Sequence, residues 1–285
     1  GRMGRTTVRV VGLLILACFG AATARQPPLT PGSRLRGGAS SRYARPTLLQ
    51  PSDGLSEAER VYVVQQFSRP AVRTAFLARV YSTVMLQVVA TGAIMAAIRR
   101  SPALAYHLLP RSPLLFLFAM APAMAIQLIP NLAEQAPYGH LLLAAFTFLT
   151  GVGLGAATSI LPAAMLLEAA VATFAAVAGL ATYATTTKRD FTATRGMLSA
   201  GLLALLALGV LQFFTRGSWI SMVRPYLGAL VFSGYLVYDT QLIAGGGKRF
   251  QLRPNQHILG ALMIFSDILN LFMTILQASA RSERD

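Results

Sequence analysis

Two aspartates set in apolar runs are the residues of this chain most able to do chemistry. Asp239 stands in the run that begins Pro225-YLGALVFSGYLVYDTQLIAGGG, and Asp267 in His257-ILGALMIFSDILNLFMTILQ. Both runs read as helices at membrane depth, where a carboxylate costs roughly 2.5–3.5 kcal/mol on insertion scales and function is the default explanation. The polar segment Gly247 to Gln256 joins them, so they should run antiparallel. At 1.5 Å per residue, Asp239 lies roughly 9 Å and Asp267 roughly 15 Å below that loop, about one turn apart in depth. The carboxylates can therefore approach each other. Each sits in a polar stripe: Tyr235 and Asp239 are one turn apart, and Asp267, Asn270 and Thr274 share a helix face. Two carboxylates that meet in a low-dielectric site cannot both ionise easily, which makes the pair sensitive to protons. The same oxygens can attract a hard cation such as Ca²⁺, held transiently by Asp239 and Asp267. The alternative is a buried hydrogen-bonded pair that only locks two helices together.

Composition decides what must position this pair. With 54% hydrophobic and 12% charged residues, the 285-residue chain has too few charges for a soluble surface, which takes about a quarter. It reads as an all-α, multi-pass membrane protein whose main partner is the lipid bilayer. The spacing of polar breaks predicts seven spans: Thr74 to Ile98, Leu114 to Ile129, Tyr138 to Ser159, Ile160 to Tyr183, Met197 to Phe214, and the two aspartate helices. Pro122 permits a kink in the second span. Gly151 and Gly155 give the third a spacing suited to close helix approach, most simply within the chain. The fourth carries a third intramembrane carboxylate, Glu168, and is set off from the third by Pro162. Trp219 is expected in the loop before the sixth span as an interfacial anchor.

Residues 1–24 read as a signal peptide, with Arg2, Arg5 and Arg9 ahead of an apolar run and Ala22-Thr23-Ala24 as a small-residue cleavage pattern. Residues 25–54 form a transit-like or disordered extension rich in Arg, Ser, Pro and Gly, and residues 55–285 the membrane domain. A signal followed by a transit-like stretch fits two-step import into a plastid. A plain secretory signal with a linker, leading to the ER or Golgi, fits equally, and a mitochondrial presequence is a third reading. From Gly54 a short amphipathic helix is expected, with Ser56 and Glu59 as a capping pair. Basic residues divide almost evenly between the two sides of the membrane, leaning toward the side of the N-terminal flank.

Several functions are disfavoured. The net charge of +15 is concentrated in residues 1–52, which hold eight arginines and no acid, so it reads as targeting and not as a nucleic-acid surface. The single cysteine, Cys18, and three scattered histidines give no disulfide framework and no metal-ligand spacing. The run Gly245-Gly246-Gly247-Lys248-Arg249 lacks the spacing of a phosphate loop and reads as a helix stop. Hydrolase motifs are missing, so an enzyme is not expected, and no cofactor is implied.

Four segments, VRTAFLARVYSTVMLQ (72–87), LEAAVATFAAVAGLATYATTTKRDFT (167–192), LGALVFSGYLVYDTQLIAGG (227–246) and ALMIFSDILNLFMTILQ (261–277), resemble the Bax-inhibitor family, in particular its lifeguard and bacterial branches. The resemblance covers roughly residues 60–280. It implies seven helices, arranged as two three-helix layers around a central last helix, and a pH-dependent Ca²⁺ leak with modulation of cell death in animals and plants. The family's paired aspartates fall on Asp239 and Asp267, which would share a proton when closed and open a path for Ca²⁺, the permeant ion, when the pair is broken. Glu168 matches an acidic position of bacterial members. The family's arginine just after the second span has no counterpart here, where the chain reads Leu128-Ile-Pro-Asn-Leu-Ala-Glu134. Three readings follow: a proton-gated Ca²⁺ conduit, a non-conducting membrane scaffold, and a proton-coupled transporter.

Overall fold

A computed structural model describes residues 69–214, 218–244, 252 and 255–282. The signal peptide, the transit-like extension, the expected helix after Gly54 and the Gly245–Arg249 run lie outside the described residues. The regular structure is helical: α1 (Pro70–Arg100), α2 (Pro102–Leu108), a 3₁₀ turn at Leu109–Arg111, α3 (Ser112–Leu128), α4 (Pro130–Glu134), α5 (Tyr138–Thr158), α6 (Ala163–Thr186), a second 3₁₀ turn at Phe191–Thr194, α7 (Arg195–Phe214), α8 (Ser218–Ala244) and α9 (His257–Ser282).

Among the described residues seven helices are long and apolar enough to cross a membrane, as the sequence predicts, with α2 and α3 forming one span over Pro102–Leu128. The protein is a multi-pass integral membrane protein. Its outer faces carry the side chains expected against lipid: Leu86, Phe118, Phe148, Phe174, Leu203 and Leu230 are all exposed.

Prolines and polar ends set the helix boundaries. Pro70, Pro102 and Pro130 begin helices at positions where an amide hydrogen would have had no intrahelical acceptor. Pro162 holds an extended ψ of 143° as the N-cap of α6, which moves the fourth span from the expected Ile160–Tyr183 to Ala163–Thr186. The far end of α6 is prolonged by Thr185 and Thr186, whose hydroxyls bond back to carbonyls one turn earlier. The sixth span starts earlier than Pro225. That proline sits inside α8, and Trp219 is a half-exposed residue of the helix, not of a loop. Pro225 cannot donate to Ser221, one turn earlier, and Arg281 of α9 donates to the Ser221 hydroxyl at 2.5 Å, tying the two helices at this end.

The helices form two trios. In one, α5 packs against α1 and α3; in the other, α8 packs against α6 and α7. Between them runs α9, in contact with α8, α1 and α6, so the last helix is central. Of its most apolar stretch 67% is buried, against 17% for α6. Glycines set the approach distances. A Cβ on Gly151 would come within 3.1 Å of Ile94 and one on Gly155 within 3.1 Å of Ile98, so the GxxxG face of α5 serves packing within the chain, against α1. Arg99 closes the far end of this pair, donating to the carbonyl of Thr158, the last residue of α5, at 2.6 Å and to that of Leu161 just beyond it at 3.0 Å.

Candidate functional site

The antiparallel packing of α8 and α9 brings the two aspartates together. Asp239 is 2% and Asp267 0% exposed, and the two carboxyls lie within hydrogen-bonding reach of each other. Among the described residues, neither Asp267 oxygen has a hydrogen-bond donor. Carboxylate oxygens only accept, so a close contact between two of them is satisfied when a proton lies between them. Chemically the pair is a buried site for one proton and, when that proton leaves, a pair of facing anions.

Burial of the pair follows from α9's position between the trios. Its polar stripe turns inward: Asn270 is 3% and Thr274 9% exposed. Asn270 donates to the Ser266 carbonyl at 2.9 Å and Thr274 to the Leu271 carbonyl at 2.9 Å, so both donors are held by their own helix. Thr274 presses on α8 at Gly228, where an added Cβ would come within 2.5 Å of its methyl group. Tyr235 is buried one turn before Asp239 on α8. Of the predicted residues, Asp239, Asp267, Asn270, Thr274 and Tyr235 therefore all lie inside the bundle along α8 and α9.

Glu168, the third carboxylate in an apolar run, is placed apart from them. It is exposed on α6, close to that helix's first residue. Gln241, two residues beyond Asp239, donates to the Ala184 carbonyl near the other end of α6. From Glu168 to that level is roughly 24 Å along the helix axis at 1.5 Å per residue. Apolar neighbours alone do not bury a carboxylate, since the outer face of a membrane helix is as apolar as its inner face.

Two residues overlooked in the sequence complete the site. Arg195, the first residue of α7, lies close enough to act electrostatically on both Tyr238 and Asp239. It is a cation within electrostatic reach of the Asp239 end of the pair. Gln241, 1% exposed, ties down the connection that carries Arg195: its side-chain carbonyl accepts from the Phe191 amide at 2.8 Å, and its amide donates to the carbonyls of Arg189 at 2.9 Å and Ala184 at 3.2 Å. The available signal was the polar trio Asp239-Thr240-Gln241 closing an otherwise apolar helix.

Comparison with known proteins bears on this arrangement. Residues 73–284 match the family described as Inhibitor of apoptosis-promoting Bax1. The chain is 31% identical to Protein lifeguard 4 of Mus musculus, over 72% of this chain and 84% of the relative. It is 30% identical to the Golgi anti-apoptotic protein of Vaccinia virus (strain Lister), over 72% and 85% respectively. With Bax inhibitor 1 of Schizosaccharomyces pombe the identity is 29%, over 73% and 76%.

Proposed function

The chain belongs to the Bax-inhibitor family, and on that premise we propose that it is a Ca²⁺ leak of an organellar membrane, gated by protons at Asp239 and Asp267. The observation that carries this reading is the pair of facing, buried carboxyls, one of which has no hydrogen-bond donor among the described residues. With one shared proton the contact holds α8 against α9. When the proton leaves, two like charges face each other in a low-dielectric interior, which both separates them and favours a divalent cation between them. Arg195 stabilises the anionic form of Asp239 from the end of α7, and Gln241 keeps that end in place. Asn270, Thr274 and Tyr235 line the same helices and offer neutral oxygens beside the path.

The biological output follows from the relatives. Two carry an anti-apoptotic role or Bax inhibition in their names and one is placed in the Golgi by its name, so restraint of cell death from an endomembrane is the role we assign. A plastid membrane reached by two-step import is the other destination that suits the N-terminal extension.

The test is Ca²⁺ flux into liposomes carrying the full chain, measured from about pH 5 to pH 8, the window to which a coupled carboxylate pair can be moved. Flux should climb as pH rises, because deprotonation creates the anionic pair. Asp267→Asn and Asp239→Asn should each cut the flux at the upper end by about tenfold and flatten its pH response. A folded Asp267→Asn protein with parental flux and parental pH response would refute the conduit, and capture of membrane partners would then be the experiment to follow.

A further inference from the structure

The trio without the aspartates carries its own polar seam. Gln87 and Thr91 of α1 and Thr147 and Thr150 of α5 are 4%, 5%, 5% and 2% exposed, and Gln87 and Thr147 meet across the two helices. The two helices run parallel and in step: Gln87 is bonded to Thr147, Gly151 faces Ile94 and Gly155 faces Ile98. Gln87, Thr91, Ile94 and Ile98 thus form one stripe of α1, and Thr91 and Thr150 both lie about one turn beyond the Gln87–Thr147 contact. Thr150 is roughly 18 Å along α5 from its start at Tyr138, near the middle of the span.

The hydrogen bonds of this seam are half made. Gln87 donates from Nε2 to Thr147 Oγ1 at 2.9 Å, and Thr147 passes its own proton to the Leu143 carbonyl at 2.8 Å. That chain fixes the Gln87 amide and leaves its Oε1 buried without a partner. Among the described residues, Thr91 Oγ1 and Thr150 Oγ1 are likewise buried without a partner. Of the described buried threonines, Thr240 on α8 shares this state. Thr147, Thr158 and Thr173 each return the hydroxyl proton to the carbonyl four residues earlier, the ordinary solution in an apolar helix, whereas Thr91 and Thr150 do not.

We propose that Gln87 Oε1, Thr91 Oγ1 and Thr150 Oγ1 together bind a buried water molecule between α1 and α5. The stoichiometry identifies the ligand. Two hydroxyls that need an acceptor and one carbonyl that needs a donor match a water that accepts twice and donates once, within the two to four partners buried waters make. A metal cation matches less well, because it would leave both hydroxyl protons without an acceptor. The inference is independent of the aspartate reading: it rests on the other trio and on groups that do not ionise. It gives the bundle a hydrated point near the middle of the membrane, in the trio that does not hold the aspartates.

Water-edited solid-state NMR on the full chain in lipid bilayers, with labelled threonine and leucine, measures the site directly. Magnetisation from water should reach Thr91 and Thr150 several-fold faster than Leu154, which is 0% exposed in an apolar setting on α5. In Thr150→Val, an isosteric change, transfer to Thr91 should lose most of that advantage because the shared water has lost a partner. Build-up at Thr91 and Thr150 as slow as at Leu154 would overturn the proposal, and so would a Thr91 signal indifferent to Thr150→Val.

Discussion

The two trios handle the same difficulty in different ways. Both bury polar side chains where lipid surrounds the bundle, but between α1 and α5 the buried groups are neutral, while where α8 meets α9 they are acids. A neutral hydroxyl can be satisfied within its own helix, as Thr147 is by Leu143. A carboxylate cannot, because it only accepts and the helix has spent its amide hydrogens. Asp267 therefore depends on what stands across the interface, and what stands there is Asp239. The neutral seam offers groups that do not ionise, and the acidic seam offers groups that can. On the reading proposed above, that difference places the moving part of the molecule at the α8–α9 interface.

The harshest way to break that distinction is to wedge the acidic seam open. At Gly228 an added Cβ would lie 2.5 Å from the Thr274 methyl group, whereas at Gly92, on α1, it would meet nothing within 4 Å. Overpacking of this kind costs about 1–3 kcal/mol or more, while filling an open helical site gains up to about 1 kcal/mol from helix propensity. Gly228→Val should therefore lower the thermal midpoint in detergent by many degrees and disturb flux at every pH. Gly92→Ala should leave the midpoint equal or slightly raised. Equal tolerance at both glycines would mean that the α8–α9 contact is not tight.

A smaller effect is expected from loosening the site's support. Gln241→Leu removes three hydrogen bonds, each worth about 0.5–1.5 kcal/mol net, so a loss of about 2 kcal/mol is expected. The Phe191 amide, bonded to Gln241 in the parent, should exchange its hydrogen faster in the variant. Unchanged protection at Phe191 would show that the 3₁₀ turn leading to Arg195 is held by something else.

How much of this was legible in the sequence depended on how far each residue's role is local. Seven spans were legible because hydropathy sets spans directly, whereas the central place of the last helix came from the family resemblance; α9 fits that place because it combines an apolar run with a polar stripe that the interior of a bundle accommodates. Asp239 and Asp267 stood out for the same reason. Gln241 and Arg195 did not, because the first looks like a helix end and the second like a loop cation until the fold places Phe191 and Asp239 beside them. The start of α8 was misjudged at Pro225, since a proline near a helix start reads as its first turn and only the tie from Arg281 to Ser221 shows the helix reaching further back. Glu168 marks the opposite limit, where the pattern was visible but ambiguous between the two faces of a membrane helix.

Glu168 supplies the mildest and most discriminating substitution. It is an acid in an apolar run, like the pair, but it is exposed near the start of α6, whereas Gln241 and Asp239 lie toward the level of that helix's last turn. An acid so placed can turn toward the interface with little strain, and it is exposed rather than buried where α8 meets α9. Glu168→Gln should therefore leave the thermal midpoint, the Ca²⁺ flux and its pH response at parental values, under conditions where Asp267→Asn changes both flux and pH response. If Glu168→Gln flattened the pH response as strongly as Asp267→Asn, proton sensing would have to extend across the full depth of the bundle, and the contrast between a fixed trio and a titrating seam would no longer hold.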